Sequence, residues 1–479
     1  MSLTENTNHA LWISAPWVAV LLLLFCLTSG CRQPIEILLE ADGTAHVYAR
    51  TDADAWYGAG YQTASDRMLQ MEMLRRFALG RLSEVLGEEG LARDEQALIF
   101  DLRRWGKLNR EATAEVDPER AMLVEAWREG VNRRIEEVRS GEAPLPWGYA
   151  SDQLDFLPEP WDEEDPYIVL VGANFAIDRT LEFEIAMTLV ESIYPAVVET
   201  TDLFRPAHDV FALPPEDRPE TFASGAGEGE DRQRKFRVDR AGAASRFAGL
   251  EPSVRDRLLD WRRPRGSNNW AMDGRHTASG RPLVAGDPHM GFDFYGGAYP
   301  LHVDSKSGRG SYATAGFAFP GTPGIALGQN DRTVWTATSA FGDNMDLWEV
   351  ERVDGGIRLG DEVLPLEIRT ESILVRDAGA PAGEGRLEVR DYEEVPGHGV
   401  LLPEDYLPLP MGDFLVNWVG FQPRPARWFM ELNRVEDLDS FEASVDRMVE
   451  MNYSFVAATA DGISYRVGVE VPDRPHFDG

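Results

Sequence analysis

The alternation of apolar and polar positions divides the chain into segments of different period. Residues 15–27 form a short, unbroken apolar run, followed by Thr28-Ser29-Gly30-Cys31. A run of that length with small residues behind it has the layout of a secretory signal. An uncleaved anchor helix is the other reading, and both predict export of the rest of the chain. Nothing after residue 31 is apolar for long enough to cross a bilayer. Residues 35–50 read as a hairpin, two apolar strands joined at Asp42-Gly43. The period then changes. Between residues 66 and 87, Leu69, Met73 and Phe77 recur every four positions with Leu74 and Leu82 beside them, which lays one apolar stripe along a helix. Asp66 supplies early negative charge and Gly87 the predicted stop. The methionines of this stretch are read as core packing.

Helical periodicity continues over about residues 95–205, with a proline-rich break around residues 144–160. Residues 213–245 are rich in Gly, Pro, Ala and mixed charge, with few large apolar side chains. Such a stretch buries too little surface to offset its ordering entropy, and reads as a linker or an excisable spacer. After Gly266, short apolar runs alternate with Gly, Pro and Asp turns, which predicts a sheet-rich half. The pattern as a whole is α+β, without an internal repeat. At 479 residues the chain is long enough for a large core or for two to three domains.

Composition narrows the chemistry. With 47 basic and 81 acidic residues the net charge is −34, which repels nucleic acid and anionic lipid. The two cysteines, Cys26 and Cys31, both lie near the start. The remainder therefore has no disulfide framework, thiolate metal site or cysteine nucleophile. The chain has no G-x-S-x-G elbow, no H-E-x-x-H helix and no P-loop, and no two of its eight histidines have helical metal-ligand spacing.

One junction stands out. Gly266-Ser267-Asn268-Asn269-Trp270 follows the low-complexity stretch and the basic residues 262–265. Upstream stand His46-Val47-Tyr48-Ala49, Tyr57-Gly58, Gly60-Tyr61, Asp66-Arg67, Gln70-Met71-Glu72 and Gly80-Arg81-Leu82-Ser83-Glu84. Downstream stand Asp287-Pro288-His289, Gly321, Gly328-Gln329-Asn330, Trp335, Gly342-Asp343, Asp346, Ala460-Asp461-Gly462 and Pro472-Asp473-Arg474. In this order, from about residue 35 onward, the segments resemble the penicillin acylase family of N-terminal-nucleophile (Ntn) hydrolases. A serine after a glycine is by itself an ordinary turn, and aspartate pairs arise by chance among 81 acids. The ordered set of motifs is what singles these residues out.

The resemblance implies a four-layer αββα Ntn-hydrolase sandwich with a helical first-chain region, and a precursor that cuts itself between Gly266 and Ser267. Residues 1–31 would be the signal peptide, of lipoprotein type if Cys31 carries the lipid. Residues 32–212 would be the first (alpha) chain, 213–266 the spacer, and 267–479 the second (beta) chain, the two chains remaining together as a heterodimer. The location implied is the periplasm, or the outer membrane through a lipid anchor at Cys31.

Cleavage would supply what the serine lacks. A hydroxyl is a weak nucleophile and needs a base. A freed α-amine on Ser267, with a pKa of roughly 7.7–8, can take the hydroxyl proton directly or through a water, so no Ser-His-Asp triad is required. By the same resemblance, His289 touches the nucleophile through its backbone and assists self-cleavage. The backbone N–H of Ser339 is one oxyanion donor. The second donor of the family is an Asn side chain downstream of the Pro-Asp-Arg segment, beyond Gly479, so the resemblance implies an incomplete second chain with its C-terminal part missing. Glu182, Asp343 and Asp346 fall at the family's calcium ligands, a donor set that suits a hard cation. Met290, Phe292 and Phe341 would line an acyl pocket. The expected substrate is a small N-acyl compound: a penicillin-type or other linear amide, or alternatively an N-acyl homoserine lactone. An inactive binding protein on the same fold is the third reading.

Overall fold

A computed structural model of the chain describes residues 34–146, 148–149, 155–178, 180–181, 184–185, 267–289, 297–403, 406, 412–426, 428–448 and 451–472. The predicted signal, the spacer with Gly266, and Glu182, Met290 and Phe292 lie outside the described residues.

The predicted hairpin forms as β1 (Glu36–Leu39) and β2 (Ala45–Tyr48), in register from Glu36 opposite Tyr48 to Leu39 opposite Ala45. The Asp42 carboxylate accepts the Thr44 N–H at 2.9 Å and closes the turn. The predicted helix is present but longer. It runs as α1 (Asp52–Leu79), capped by Thr51, whose hydroxyl accepts the Asp54 N–H at 3.2 Å. At Arg67 the backbone leaves helical values (φ −128°, ψ 18°), so the striped segment is the second limb of a kinked helix. The first limb shows no stripe because small residues on several of its faces are buried, among them Ala55, Ala59, Gly60 and Ala64. The stop is Gly80, not Gly87. Gly80 takes the left-handed conformation (φ 68°) that only glycine adopts without cost, and its N–H returns to Phe77 O at 3.0 Å.

Among the described residues the first half has five more helices: α2 (Ser83–Leu86), α3 (Glu88–Ile99), α4 (Leu102–Val116), α5 (Pro118–Ser140) and α6 (Asp165–Ile177). The predicted proline-rich break falls between α5 and α6. After residue 266 the chain is mostly strand: β3 (Ser267–Met272), β4 (Leu283–Pro288), β5 (Tyr299–Asp304), β6 (Ala313–Ala318), β7 (Leu327–Asn330), β8 (Val334–Ser339), β9 (Met345–Val353), β10 (Gly356–Leu359), β11 (Glu362–Leu364), β12 (Glu367–Arg376), β13 (Gly385–Val395), β14 (Gly399–Leu401), β15 (Asp413–Trp418), β16 (Tyr453–Thr459) and β17 (Gly462–Gly468). Two short helices, α7 (Trp428–Leu432) and α8 (Leu438–Val445), precede β16.

The strands make three sheets. The largest has the order β1-β2-β5-β6-β7-β8-β16-β17, the second β11-β10-β9-β15-β14-β13-β12, and the third is the ribbon β3-β4. Within the large sheet β2 and β5 run parallel, so the two halves of the chain share one continuous sheet. Side chains alternate between its faces. Val47, Leu301 and Val303 lie under α1, and Phe455 meets Phe441 of α8 edge-on at 6.4 Å. The opposite face carries the ribbon. The described residues thus form an α+β stack of helices, large sheet and ribbon, with the seven-stranded sheet beside it.

The helical side encloses a buried ionic network. Glu72, 1% exposed, accepts from Arg75 and from Arg76, each at 2.8 Å. Arg75 also reaches Asp165 at 3.0 Å, and Arg76 reaches Glu84 at 2.7 Å and Glu159 at 3.0 Å. Arg81 bonds the same two glutamates, at 2.7 and 3.0 Å. The motifs around Gln70-Met71-Glu72 and Gly80–Glu84 thus meet as one structural unit tying α1 to α2 and α6. Removing one member of such a network leaves buried charge uncompensated. Glu72→Ala is expected to cost about 3–5 kcal/mol, measured by chemical denaturation, whereas a loss under 1 kcal/mol would mean that the arginines find other partners.

Candidate active site

Ser267 opens β3, and the alternation along that strand turns Ser267, Asn269 and Ala271 toward the large sheet while Asn268, Trp270 and Met272 face out. The ribbon sits close. A Cβ on Gly286 would fall 2.0 Å from Thr336 Oγ1 of β8, so only a glycine lets β4 approach there. Asn269 adds a cross-link, its side-chain amide donating to Ser454 O of β16 at 3.2 Å. In the ribbon register Ser267 lies opposite Pro288, which puts the next residue, His289, at the hydroxyl.

The contact with His289 is made by its backbone. Its N–H donates to Ser267 Oγ at 3.3 Å, while the imidazole Nε2 is 2.9 Å from Asp287 Oδ2 and 3.4 Å from Asn268 Nδ2. Among the described residues no side-chain base is hydrogen-bonded to Ser267 Oγ.

Ser339 ends β8 opposite Tyr453. The N–H of Ala340 donates to Asn452 O at 2.8 Å, so the Ser339–Tyr453 pair is a non-hydrogen-bonded one. The Ser339 N–H therefore points away from β16, to the side where β7 pairs with β8 only at Gly328–Trp335 and Gln329–Val334. That gap opens on a cleft lined by Ser267, Pro288, Thr338 and Ser339 and by an apolar wall that includes Ile177, Phe319, Ala326, Leu327, Ala337 and Phe455. The sequence-predicted Ser267 and Ser339 thus share one cleft, with the His289 backbone beside Ser267. Phe341 does not join them. Its backbone is left-handed (φ 53°) and its ring is 69% exposed, turned out by the bend that follows β8.

That bend is held by a residue that periodicity did not point to. Asn452, 7% exposed and itself left-handed (φ 53°), accepts the Gly342 N–H at 2.6 Å and donates to Gly342 O at 2.7 Å. The tolerance of Asn for positive φ was the available signal. Asp343 follows on the same loop and Asp346 is the second residue of β9, with Asn344 fully buried between them. The end of α6 closes over them: Thr180 Oγ1 is 3.0 Å from Asn344 Oδ1 and 3.3 Å from Gly342 O, and it donates to Asp178 Oδ1 at 2.8 Å. Burial pushes the Asp178 carboxyl up, against the hydrogen bonds it accepts from the Thr180 N–H and hydroxyl, which pull it down. No group of three or more acidic, His or Cys side chains placed to hold a metal occurs among the described residues.

A serine at the head of a strand, attended by backbone donors instead of an imidazole, is the arrangement of an N-terminal-nucleophile hydrolase. The chain belongs to the penicillin amidase family, which it matches over residues 34–479. It is 28% identical to the penicillin acylase 2 proenzyme of Pseudomonas sp. (strain SE83), over 94% of this chain and 54% of that one. It is also 28% identical to the acyl-homoserine lactone acylase QuiP of Pseudomonas aeruginosa, over 78% of this chain and 40% of the other. Identity to the penicillin G acylase of Escherichia coli is 26%, over 67% of this chain and 40% of that one. The chain spans about half the length of these relatives.

Asn452→Ala removes both side-chain bonds to Gly342 and leaves a buried peptide unpaired, so it is expected to cost about 1–3 kcal/mol and to raise hydrogen exchange at residues 340–344. Unchanged exchange there would show that the loop holds its shape without this amide.

Proposed function

We propose that the protein is a self-processing amide hydrolase in which Ser267, freed from Gly266, attacks a small N-acyl substrate. The observation that carries this reading is the hydrogen bond from the His289 backbone to Ser267 Oγ, in the same cleft as the Ser339 N–H. With no imidazole on the hydroxyl, the base is the α-amine that cleavage releases. The hydroxyl proton passes to that amine as Oγ bonds to the amide carbon. The Ser339 N–H stabilises the oxyanion, and the His289 N–H holds Oγ in line. The C–N bond then breaks, the leaving amine takes the proton, and water repeats the sequence on the Ser267 ester to release the acid.

In the precursor the same serine hydroxyl attacks the Gly266 carbonyl as the Gly266–Ser267 C–N bond breaks, and water then hydrolyses the resulting ester. Residues 32–212 and 267–479 remain together as a heterodimer, with the spacer 213–266 either tethered to the first chain or released by a further cut. In this reading the ribbon and the large sheet are the two inner layers of an αββα sandwich. The protein works outside the cytoplasm, exported by residues 1–31 and, if Cys31 is lipidated, held at the outer membrane. A penicillin-type or related linear amide is the leading substrate. The likeness to QuiP supports N-acyl homoserine lactones as the second class to screen. The acyl group enters the apolar cleft beside Ser267, with Met290 and Phe292 following His289 in sequence.

We assign calcium to Asp343, on the loop before β9, and Asp346, at the start of β9, with Glu182 as the third carboxylate. The donors fit a hard cation: two carboxylates three residues apart, beside the carbonyl and amide oxygens of Gly342 and Asn344 and the end of α6. When bound it would pin α6 to the loop that follows Ser339, a structural task rather than a chemical one.

Ser267→Ala is expected to yield one uncut chain by intact mass, where the unsubstituted protein gives a fragment beginning Ser-Asn-Asn-Trp; normal processing of the variant would refute the mechanism. Removing calcium with a chelator is expected to lower the melting temperature by several degrees and restoring it to reverse the loss, because a ligand bound at about 100 times its Kd adds about 2.7 kcal/mol. An unchanged melting curve removes the assigned site.

A further inference from the structure

The cleft holds polar side chains with no task in the chemistry above. Ser267 is the nucleophile, Ser339 acts through its backbone N–H and not its hydroxyl, and the Thr338 hydroxyl donates to Ser339 O at 3.4 Å. Tyr453 is different. It lies opposite Ser339 on β16, on the sheet face that also carries Ala337 and Phe455, and it lines the cleft with them. Its ring is wedged edge-on to Phe455, with the centroids 5.9 Å apart. Its hydroxyl makes no hydrogen bond with any described residue. Burial alone pushes its phenol pKa up, with no charged group contributing, so the group is a neutral donor at any working pH.

Tyr453 is half-buried, so its hydroxyl, which no described residue bonds, is left to solvent or to a ligand in the open cleft. A ligand that displaces water from it loses affinity unless it replaces that hydrogen bond. The surroundings say which ligand does so. The wall around Tyr453 is aliphatic and aromatic, so it accepts the apolar part of an acyl group, and the phenol adds one directional contact. A pocket lined only by apolar groups discriminates weakly between a bare acyl chain and one bearing an extra oxygen, whereas a buried hydrogen-bonding group discriminates strongly.

Building on the amide-hydrolase reading, we propose that Tyr453 is a specificity-determining residue whose hydroxyl bonds an oxygen on the acyl group, so that the enzyme prefers acyl groups carrying a hydroxyl or keto oxygen within the cleft. Tyr453 takes no part in bond making or breaking, and its contribution is to bind and orient the acyl portion.

The test uses the self-processed full-length protein and its Tyr453→Phe variant, which keeps the ring and removes only the oxygen. Two pairs of 4-nitroanilides serve as probes: phenylacetyl against 4-hydroxyphenylacetyl, and hexanoyl against 3-hydroxyhexanoyl. The expected result is a kcat/KM ratio favouring the oxygenated member of at least one pair by about fivefold or more, collapsing toward one in Tyr453→Phe. Ratios equal in both proteins for both pairs overturn the proposal. Thermal unfolding without substrate gives a second readout. Tyr453→Phe should melt at or above the temperature of the unsubstituted protein, because the hydroxyl has no protein partner to lose. A clear fall would mean that the hydroxyl is bonded inside the fold, and would also overturn it. Failure of the unsubstituted protein to hydrolyse any of the four anilides counts against the hydrolase reading, and this inference falls with it.

Discussion

The position of Ser267 rests on the flat contact between a two-stranded ribbon and the eight-stranded sheet. The ribbon can lie so close because residue 286 has no side chain where Thr336 stands. Cross-strand pairing then carries Ser267 to Pro288, and the next peptide delivers the His289 N–H to the hydroxyl. On the sheet below, one bond from Ala340 to Asn452 sets the alternation of the β8–β16 ladder and aims the Ser339 N–H into the gap that short β7 leaves. Two donors therefore reach one cleft as a result of strand register. A backbone donor held this way, in the role proposed for Ser339, needs no reorganisation when charge develops on a substrate.

The remaining framework keeps that register from slipping. Asn452 holds the turn after β8 at both polar atoms of Gly342, and the end of α6 lies over the same loop through Thr180. Helix α6 is tied back through Asp165 to the buried arginines of α1. A continuous chain of polar contacts thus links the ionic network at Glu72 to the loop beside the cleft. Glu72, Arg75, Asp165 and Asn452 are its buried members, so a break at any of them leaves a group unpaired in a medium that penalises it.

Much of this was legible in the chain. The 35–50 hairpin, the striped limb of α1, the proline-rich break and the change to strands after residue 266 all follow from local period and turn chemistry. The ordered motifs brought Ser267, His289 and Ser339 to attention, and all three meet at or beside one cleft. What escaped depends on contacts between distant segments. The first limb of α1 is packed on several sides, so it has no stripe, and Gly80 ends the helix where the apolar pattern alone pointed to Gly87. The resemblance puts Phe341 on the wall of an acyl pocket, but a left-handed backbone turns it outward. Asn452 and Tyr453 lie more than a hundred residues from the loop and strand end they serve. No periodicity marks such residues, because their roles come from a cross-strand partner.

The parallel pairing of β2 with β5 joins His46 to His302, positions 256 residues apart. While the chain is continuous, that encounter is intramolecular and its loop-closure cost grows only slowly with length. If the proposed cut severs the chain between them, the same ladder becomes a subunit interface inside the eight-stranded sheet. Refolding would then be a second-order process that dilution defeats, whereas unfolding would stay first-order. Such a molecule lasts by how slowly it comes apart rather than by how readily it reassembles, and its durability is a rate, fixed at the moment of cutting.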